Sequence, residues 1–158
     1  AHPDLDALVV PLGGGGLAAG TALAMRALAP NCQLYLAEPE GAADGARSFA
    51  KGALDHDFVP NTICDGLRGT LGAINFDILR AAGARVLTVD DAQVVSAMRL
   101  LWTRTKQLVE PSSATALAAV LAQRPLFERR RVGIILSGGN VDLDALPALF
   151  ALATEAQS

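Results

Sequence analysis

Short apolar runs rich in β-branched residues alternate along the chain with longer stretches of helical periodicity. Residues 8–12 form an apolar run that ends in glycines, the pattern of a buried strand. Residues 17–28, small and aliphatic, predict a helix stopped near Pro30. A second strand is expected over 33–37, ending at Glu38-Pro39, followed by a short helix over 42–51. Residues 55–72 are rich in Gly, Pro, Asn and Asp and read mostly as loop. A weaker helical stretch covers 76–82, and 85–89 predicts a third strand. Asp90 or Asp91 then caps a long helix, in which Val94, Ala97, Met98, Leu101 and Leu108 fall near one face. Pro111 interrupts that pattern, and Ser112 or Ser113 is expected to cap a further helix to about residue 121. Residues 132–136 predict a fourth strand running into Ser137-Gly138-Gly139-Asn140, and Asp142 or Asp144 caps a last helix over 145–153.

Strands separated by helices require crossover connections. The expected class is therefore α/β, a largely parallel sheet with helices on both faces. A chain of 158 residues suffices for one domain of this kind. Aromatics are only 4% of the residues, so the core must be built from Ala, Val, Leu and Ile. A formal charge of -3 argues against nucleic acid or an anionic membrane as the main partner. No apolar run reaches the length of a membrane span. Cys32 and Cys64 lack metal-ligand spacing and read as reduced thiols of a cytoplasmic protein. The sequence opens with Ala1-His2-Pro3-Asp4 and its first Met is Met25, which suggests a piece of a longer polypeptide.

Two glycine-rich turns carry the candidate chemistry. Gly13-Gly14-Gly15-Gly16 follows a strand and opens a helix, where converging backbone N–H groups and the helix dipole favour an anion. The same segment fits a dinucleotide fingerprint through Gly13, Gly15 and Ala18, with Glu38 about 20 residues further on as a ribose-binding acid. Ser137-Gly138-Gly139-Asn140 ends another strand of the same parallel sheet, hence lies on the same edge. Taken alone, its serine reads better as a helix cap or a turn hydroxyl.

Four segments in order resemble the fold-type II pyridoxal-phosphate enzymes, and within them the serine/threonine dehydratases and serine racemases. They are Val10-Pro11-Leu12 with the four glycines and Leu17; Thr62-Ile63-Cys64-Asp65-Gly66-Leu67; Leu108-Val109-Glu110-Pro111-Ser112-Ser113; and Leu136-Ser137-Gly138-Gly139-Asn140-Val141-Asp142-Leu143. Their order matches the C-terminal half of that family, a partial large domain of the tryptophan-synthase-β-like fold. The resemblance implies that the backbone of Gly13, Gly14, Gly15, Gly16 and Leu17 cradles the cofactor phosphate. It implies that Ser137 meets the pyridine nitrogen with Gly138 packed beside it, that Gly66 lets the backbone approach the ring, and that Glu110 lies near the ring edge. It further implies a divalent cation, Mg²⁺, Mn²⁺ or Ca²⁺, on Glu38, the carbonyl of Ala42, and Asp44, which competes with the ribose role of Glu38. Cys64 stands where the family often has Ala.

The catalytic lysine of that family precedes the glycine loop, and the chain offers only Lys51 and Lys106, both after it. Ser48-Phe49-Ala50-Lys51-Gly52 echoes the family's lysine segment but has one residue too many before the lysine and no arginine after it. No residue of the chain is therefore taken as catalytic. His2 and His56 carry no site context, Arg129-Arg130-Arg131 reads as a solvated approach to the last strand, and Met98 and Trp102 read as core or interface. The resemblance implies a serine or threonine ammonia-lyase releasing a 2-oxo acid, with serine racemase or hydroxyaspartate ammonia-lyase as alternatives, homo-oligomeric when complete. From other classes, the readings are a non-catalytic fragment or a nucleotide-binding α/β domain.

Overall fold

The computed structural model describes residues 4–155. His2 lies outside the described residues. Among the described residues, four parallel strands form one sheet in the order β3-β2-β1-β4: β1 (Ala7–Pro11), β2 (Gln33–Pro39), β3 (Arg85–Val89) and β4 (Val132–Ile134). The helices that connect and cover them are α1 (Gly16–Leu28), α2 (Asp44–Lys51), α3 (Ala73–Ala81), α4 (Asp91–Thr105), α5 (Pro111–Ala122), α6 (Arg124–Phe127) and α7 (Leu146–Glu155). The expected α/β class is what the chain adopts.

Strand side chains alternate between faces, and here both faces are buried. Ala7, Val9, Tyr35, Ala37 and Val89 meet Val94, Ala97, Met98 and Leu101 of α4 and the alanines of α5. Val10, Leu12, Leu34 and Leu36 meet Ala18, Ala19 and Ala22 of α1 with Phe76 and Leu79 of α3. This explains why the strands read as continuous apolar runs rather than alternating ones. The alanine-rich stripes let α1 and α5 sit close to the sheet.

The path from β1 through α1 to β2 and on to β3 runs in one direction, whereas β4 returns to the other side of β1. Right-handed crossovers in opposite directions place α1 and α4–α5 on opposite faces. They also make the carboxyl ends of β1 and β4 a topological switch point, the usual place for a ligand in such sheets.

Some local expectations are corrected, and alternatives left open by the sequence are decided. Leu108 lies beyond the end of α4 and is 56% exposed, because the helix stops at Thr105. Asp90, rather than Asp91, caps α4: its carboxylate accepts from Gln93 N–H (2.7 Å), and the Gln93 side chain accepts from Asp90 N–H (3.1 Å). Neither Ser112 nor Ser113 caps α5. Pro111 occupies its first turn, where a missing N–H does no harm, and Glu110 is the cap residue. β4 ends at Ile134 rather than Leu136, and α6 was not anticipated. Asp142 accepts from Asp144 N–H (3.0 Å) in a 3-10 turn (Leu143–Ala145) that precedes α7. Met98 is fully buried, and Trp102 donates its indole N–H to the carbonyl of Val109 (2.9 Å). The arginine run is not merely solvated: Arg130 donates to the hydroxyl of buried Tyr35 (3.2 Å), and Arg131 pairs with Asp4 and Asp6.

Candidate functional site

Beyond β1, Leu12 N–H still bonds to the carbonyl of Ala37 (2.8 Å), and the glycines begin immediately after. Gly15 is the cap residue of α1 at φ 87°, a conformation that suits glycine. A Cβ there would also lie 2.6 Å from Leu71 Cδ1 and 2.8 Å from Asn75 Cβ. No side chain caps α1, so the N–H groups of its first turn remain available. Gly15 is buried, yet among the described residues its N–H donates to nothing. Gly16 and Leu17 are exposed, and a Cβ on Gly16 would meet nothing within 4 Å. The surface here is open enough to admit a phosphate.

β4 lies parallel beside β1, with Val9 opposite Ile134 and Ile135 N–H bonded to the carbonyl of Val9 (2.9 Å). Gly13 and Ser137 therefore emerge from neighbouring strands on one edge. Three residues at the head of α5 bracket the turns there. Ser113 Oγ accepts from Ser137 N–H (2.9 Å). Ser112 Oγ accepts from Gly66 N–H (3.0 Å). The Glu110 carboxylate accepts from Asn140 N–H (2.8 Å), and Glu110 N–H donates to the carbonyl of Gly138 (3.2 Å).

Small residues are required where these turns converge. A Cβ on Gly138 would lie 2.8 Å from Glu110 Oε1, and one on Gly66 would lie 3.1 Å from Ser112 Oγ. A Cβ on Gly13 would lie 3.1 Å from the carbonyl oxygen of Gly66. The structure thus brings Gly13, Gly66, Glu110, Ser137 and Gly138 into one cluster at the switch point. Asp91 steadies the Gly66 segment by accepting from Thr62 Oγ1 (2.5 Å) and Ile63 N–H (3.1 Å). Sequence reasoning offered Asp91, Ser112 and Ser113 only as helix caps and gave Asn75 no role. Two successive serines inside an alanine-rich helix were the available signal for two of them.

A second constellation lies after β2. Glu38 is fully buried, and its carboxylate accepts from Gly45 N–H (3.0 Å) and Ala46 N–H (2.9 Å). Burial pushes its pKa up to about 7; the two backbone donors and Arg47 oppose the shift, and Asp44 adds to it. Asp44 is 1% exposed; Oδ2 accepts from Leu71 N–H (2.8 Å), while Oδ1 is buried with no partner. Burial likewise raises the Asp44 pKa, and Arg47 and His56 lower it. His56, given no site context above, therefore bears on this pair. Ala42 is fully buried beside them in a 3-10 turn (Glu40–Ala42). Two buried carboxylates with an orphaned oxygen suit a hard divalent cation. Among the described residues no group of three His, Cys, Asp or Glu gathers, so a carbonyl and water must complete any such site.

Lys51 is exposed in the last turn of α2, and exposed Lys106 bonds back to the carbonyl of Thr103 (2.6 Å). Neither belongs to the cluster. Cys64 is buried against Thr115 Oγ1 (3.5 Å), and burial pushes its thiol up to about 11, away from reactivity. Among the described residues no helix is long and apolar enough to cross a membrane.

Residues 1–138 match the family model described as pyridoxal-phosphate dependent enzyme. The chain belongs to that family. Its curated relatives include an L-threo-3-hydroxyaspartate ammonia-lyase of Pseudomonas sp, 48% identical over 146 residues, covering 92% of this chain and 46% of the relative. Among solved structures, maize serine racemase superposes with a TM-score of 0.86 at 42% identity, covering 92% of this chain and 48% of that one. Serine racemase from Dictyostelium discoideum superposes with a TM-score of 0.81 at 45% identity, covering 88% of this chain and 45% of that one. The chain spans about half the length of the curated relatives it matches. Family membership implies pyridoxal phosphate, rather than a dinucleotide, as the cofactor. The structure agrees with this, since the Glu38 carboxylate that a ribose would need is buried and already taken by Gly45 and Ala46.

Proposed function

We propose that the chain is the C-terminal portion of a pyridoxal-phosphate-dependent ammonia-lyase that deaminates a β-hydroxy amino acid, L-serine or L-threonine, to a 2-oxo acid. The observation that carries this is the convergence of the Gly13–Gly16 loop, Gly66, Glu110 and the Ser137 turn on one edge of the sheet. When bound, pyridoxal phosphate supplies an electron sink for the charge that develops at the substrate α-carbon.

The residues of this chain bind and tune that group. The N–H groups from Gly13 to Leu17 would receive the phosphate, aided by the dipole of α1. The Gly15 N–H, which donates to no group among the described residues, fits that role. The Ser137 hydroxyl would face the ring nitrogen; a neutral hydroxyl leaves that nitrogen largely unprotonated and moderates the ring's electron demand. Glu110, bonded to the turn on both sides of Gly139, would lie at the ring edge, with Gly66 and Gly138 leaving room for the ring. Glu38, the Ala42 carbonyl and Asp44 would hold a divalent cation, which would neutralise the buried carboxylates. The lysine amine that the chemistry also needs is assigned to the polypeptide upstream of Ala1.

A second reading is supported by the relatives. Hydroxyaspartate deamination or serine racemisation uses the same proton removal at the α-carbon, and the named relatives include both kinds of enzyme. The test is to express the polypeptide extended upstream of Ala1, supply pyridoxal phosphate, and offer L-serine, L-threonine and L-threo-3-hydroxyaspartate. Release of 2-oxo acid and ammonia from one of them is expected, and chiral analysis of serine measures racemisation. Absence of both products from a folded, cofactor-loaded protein would overturn the proposal in favour of a non-catalytic role.

A further inference from the structure

We infer that Asn75 is a positioning residue for the phosphate cradle: its side-chain amide fixes the Gly14–Gly15 peptide so that the Gly15 N–H faces the phosphate. The inference rests on the reading of the Gly13–Gly16 loop as the phosphate site.

Four glycines in succession are loose, because each can take many backbone conformations. A cradle of backbone donors is useful only if the peptides are held in one orientation before the anion arrives. The structure shows what holds one of them. The carbonyl of Gly14 accepts two hydrogen bonds from α3 and its approach, from Gly72 N–H (3.1 Å) and from Asn75 Nδ2 (2.7 Å). A carbonyl can only accept, so the amide nitrogen of Asn75 must be the atom that faces it.

The next step is covalent geometry. No cis peptide occurs among the described residues. In a trans peptide the C=O of one residue and the N–H of the next point in opposite directions. Pinning the Gly14 carbonyl toward α3 therefore turns the Gly15 N–H away from α3. That N–H donates to no group among the described residues. A backbone donor without a protein partner is left to solvent or to a ligand.

Asn75 does little for its own helix. It occupies the third position of α3, where a short amide often serves the local backbone, but no side chain caps that helix. Its amide instead reaches a residue 61 positions earlier in the chain. Asn75 Cβ also lies where a side chain on Gly15 would have to go, so the loop and Asn75 pack directly together.

The experiment compares affinities for pyridoxal 5'-phosphate and for pyridoxal, which lacks the phosphate, in the upstream-extended polypeptide and its variants. Thermal unfolding is followed in parallel. The unsubstituted protein should prefer the phosphorylated form strongly. Asn75→Ala should weaken pyridoxal 5'-phosphate about fivefold, the worth of one hydrogen bond, and leave pyridoxal unchanged. Asn75→Asp keeps the side-chain shape but replaces the donor with a negative charge, and should weaken the phosphorylated form further, more so at low salt. Equal losses for both ligands, or Asn75→Asp behaving as the unsubstituted protein, would reduce Asn75 to a packing role and overturn the inference. Retention of the full phosphate preference in Asn75→Ala would overturn it too, leaving the glycine-loop reading intact. If the unsubstituted protein bound both ligands alike, that underlying reading would itself fall, and the inference with it.

Discussion

Glu38 shows how one side chain can set the conditions under which the chain is stable. Its carboxyl is fully buried and titrates near pH 7, above the ordinary glutamate value of 4.5. The metal-free native state therefore holds this proton more tightly than the unfolded state does. Its contribution is fully present below the ordinary value and is lost as pH rises through about 7. Melting temperatures of the metal-free protein should fall between pH 5 and pH 8, by an amount on the order of 2–3 kcal/mol in stability from this group. Mg²⁺ or Ca²⁺ should restore stability at pH 8, where the carboxylates are ionised, and do little at pH 5. Glu38→Gln should flatten both responses. A metal-free protein that becomes more stable from pH 5 to pH 8 would contradict this account. The resemblance pointed to a cation on Glu38 and Asp44, but the pH response was not visible from the sequence, because it depends on their burial.

Helix α5 does more than cross the sheet. Its head presents Glu110, Ser112 and Ser113, and each holds a different backbone segment of the candidate site. The sequence suggested that one serine caps its own helix. The structure uses both elsewhere, because Pro111 starts the helix and frees the hydroxyls for the Gly66 and Ser137 turns. Ser113→Ala should lower stability by about 1 kcal/mol and should also weaken pyridoxal 5'-phosphate binding, since it releases Ser137. Asp90→Ala, which removes the cap of α4, should lower stability by a similar amount, about 1 kcal/mol, while leaving that binding unchanged. Urea unfolding and cofactor titration on the two variants would separate them. Loss of binding in both alike would mean that global stability, rather than the α5 bracket, governs the site.

At the scale of the whole molecule, the sheet is covered on both faces but open along β4. Val132, Gly133 and Ile134 are only half-buried, unlike the core of β1 and β2. Ile135 N–H bonds to β1, and donors alternate in direction along a strand, so the N–H of Ile134 points to the open edge. In the isolated chain, amide exchange at Ile134 should be fast while Ile135 and Leu36 are protected. Slow exchange at Ile134 would show that another segment or a second copy covers this edge. The same topology creates the site, since it is the return of β4 to the far side of β1 that places Ser137 next to Gly13.

The order of the strands and of every helix but α6, the parallel sheet and the two glycine turns were legible in the sequence because each depends on local pattern: apolar runs, helical periodicity, and glycines where side chains cannot be accommodated. The ordered motifs also pointed to the cofactor family. Tertiary structure alone decided which hydroxyls and amides hold which turn, that Glu38 is sealed from solvent, and that Asn75 reaches Gly14. Those contacts join segments distant in sequence, and burial and hydrogen-bond partners are properties of the packed chain that no local pattern encodes.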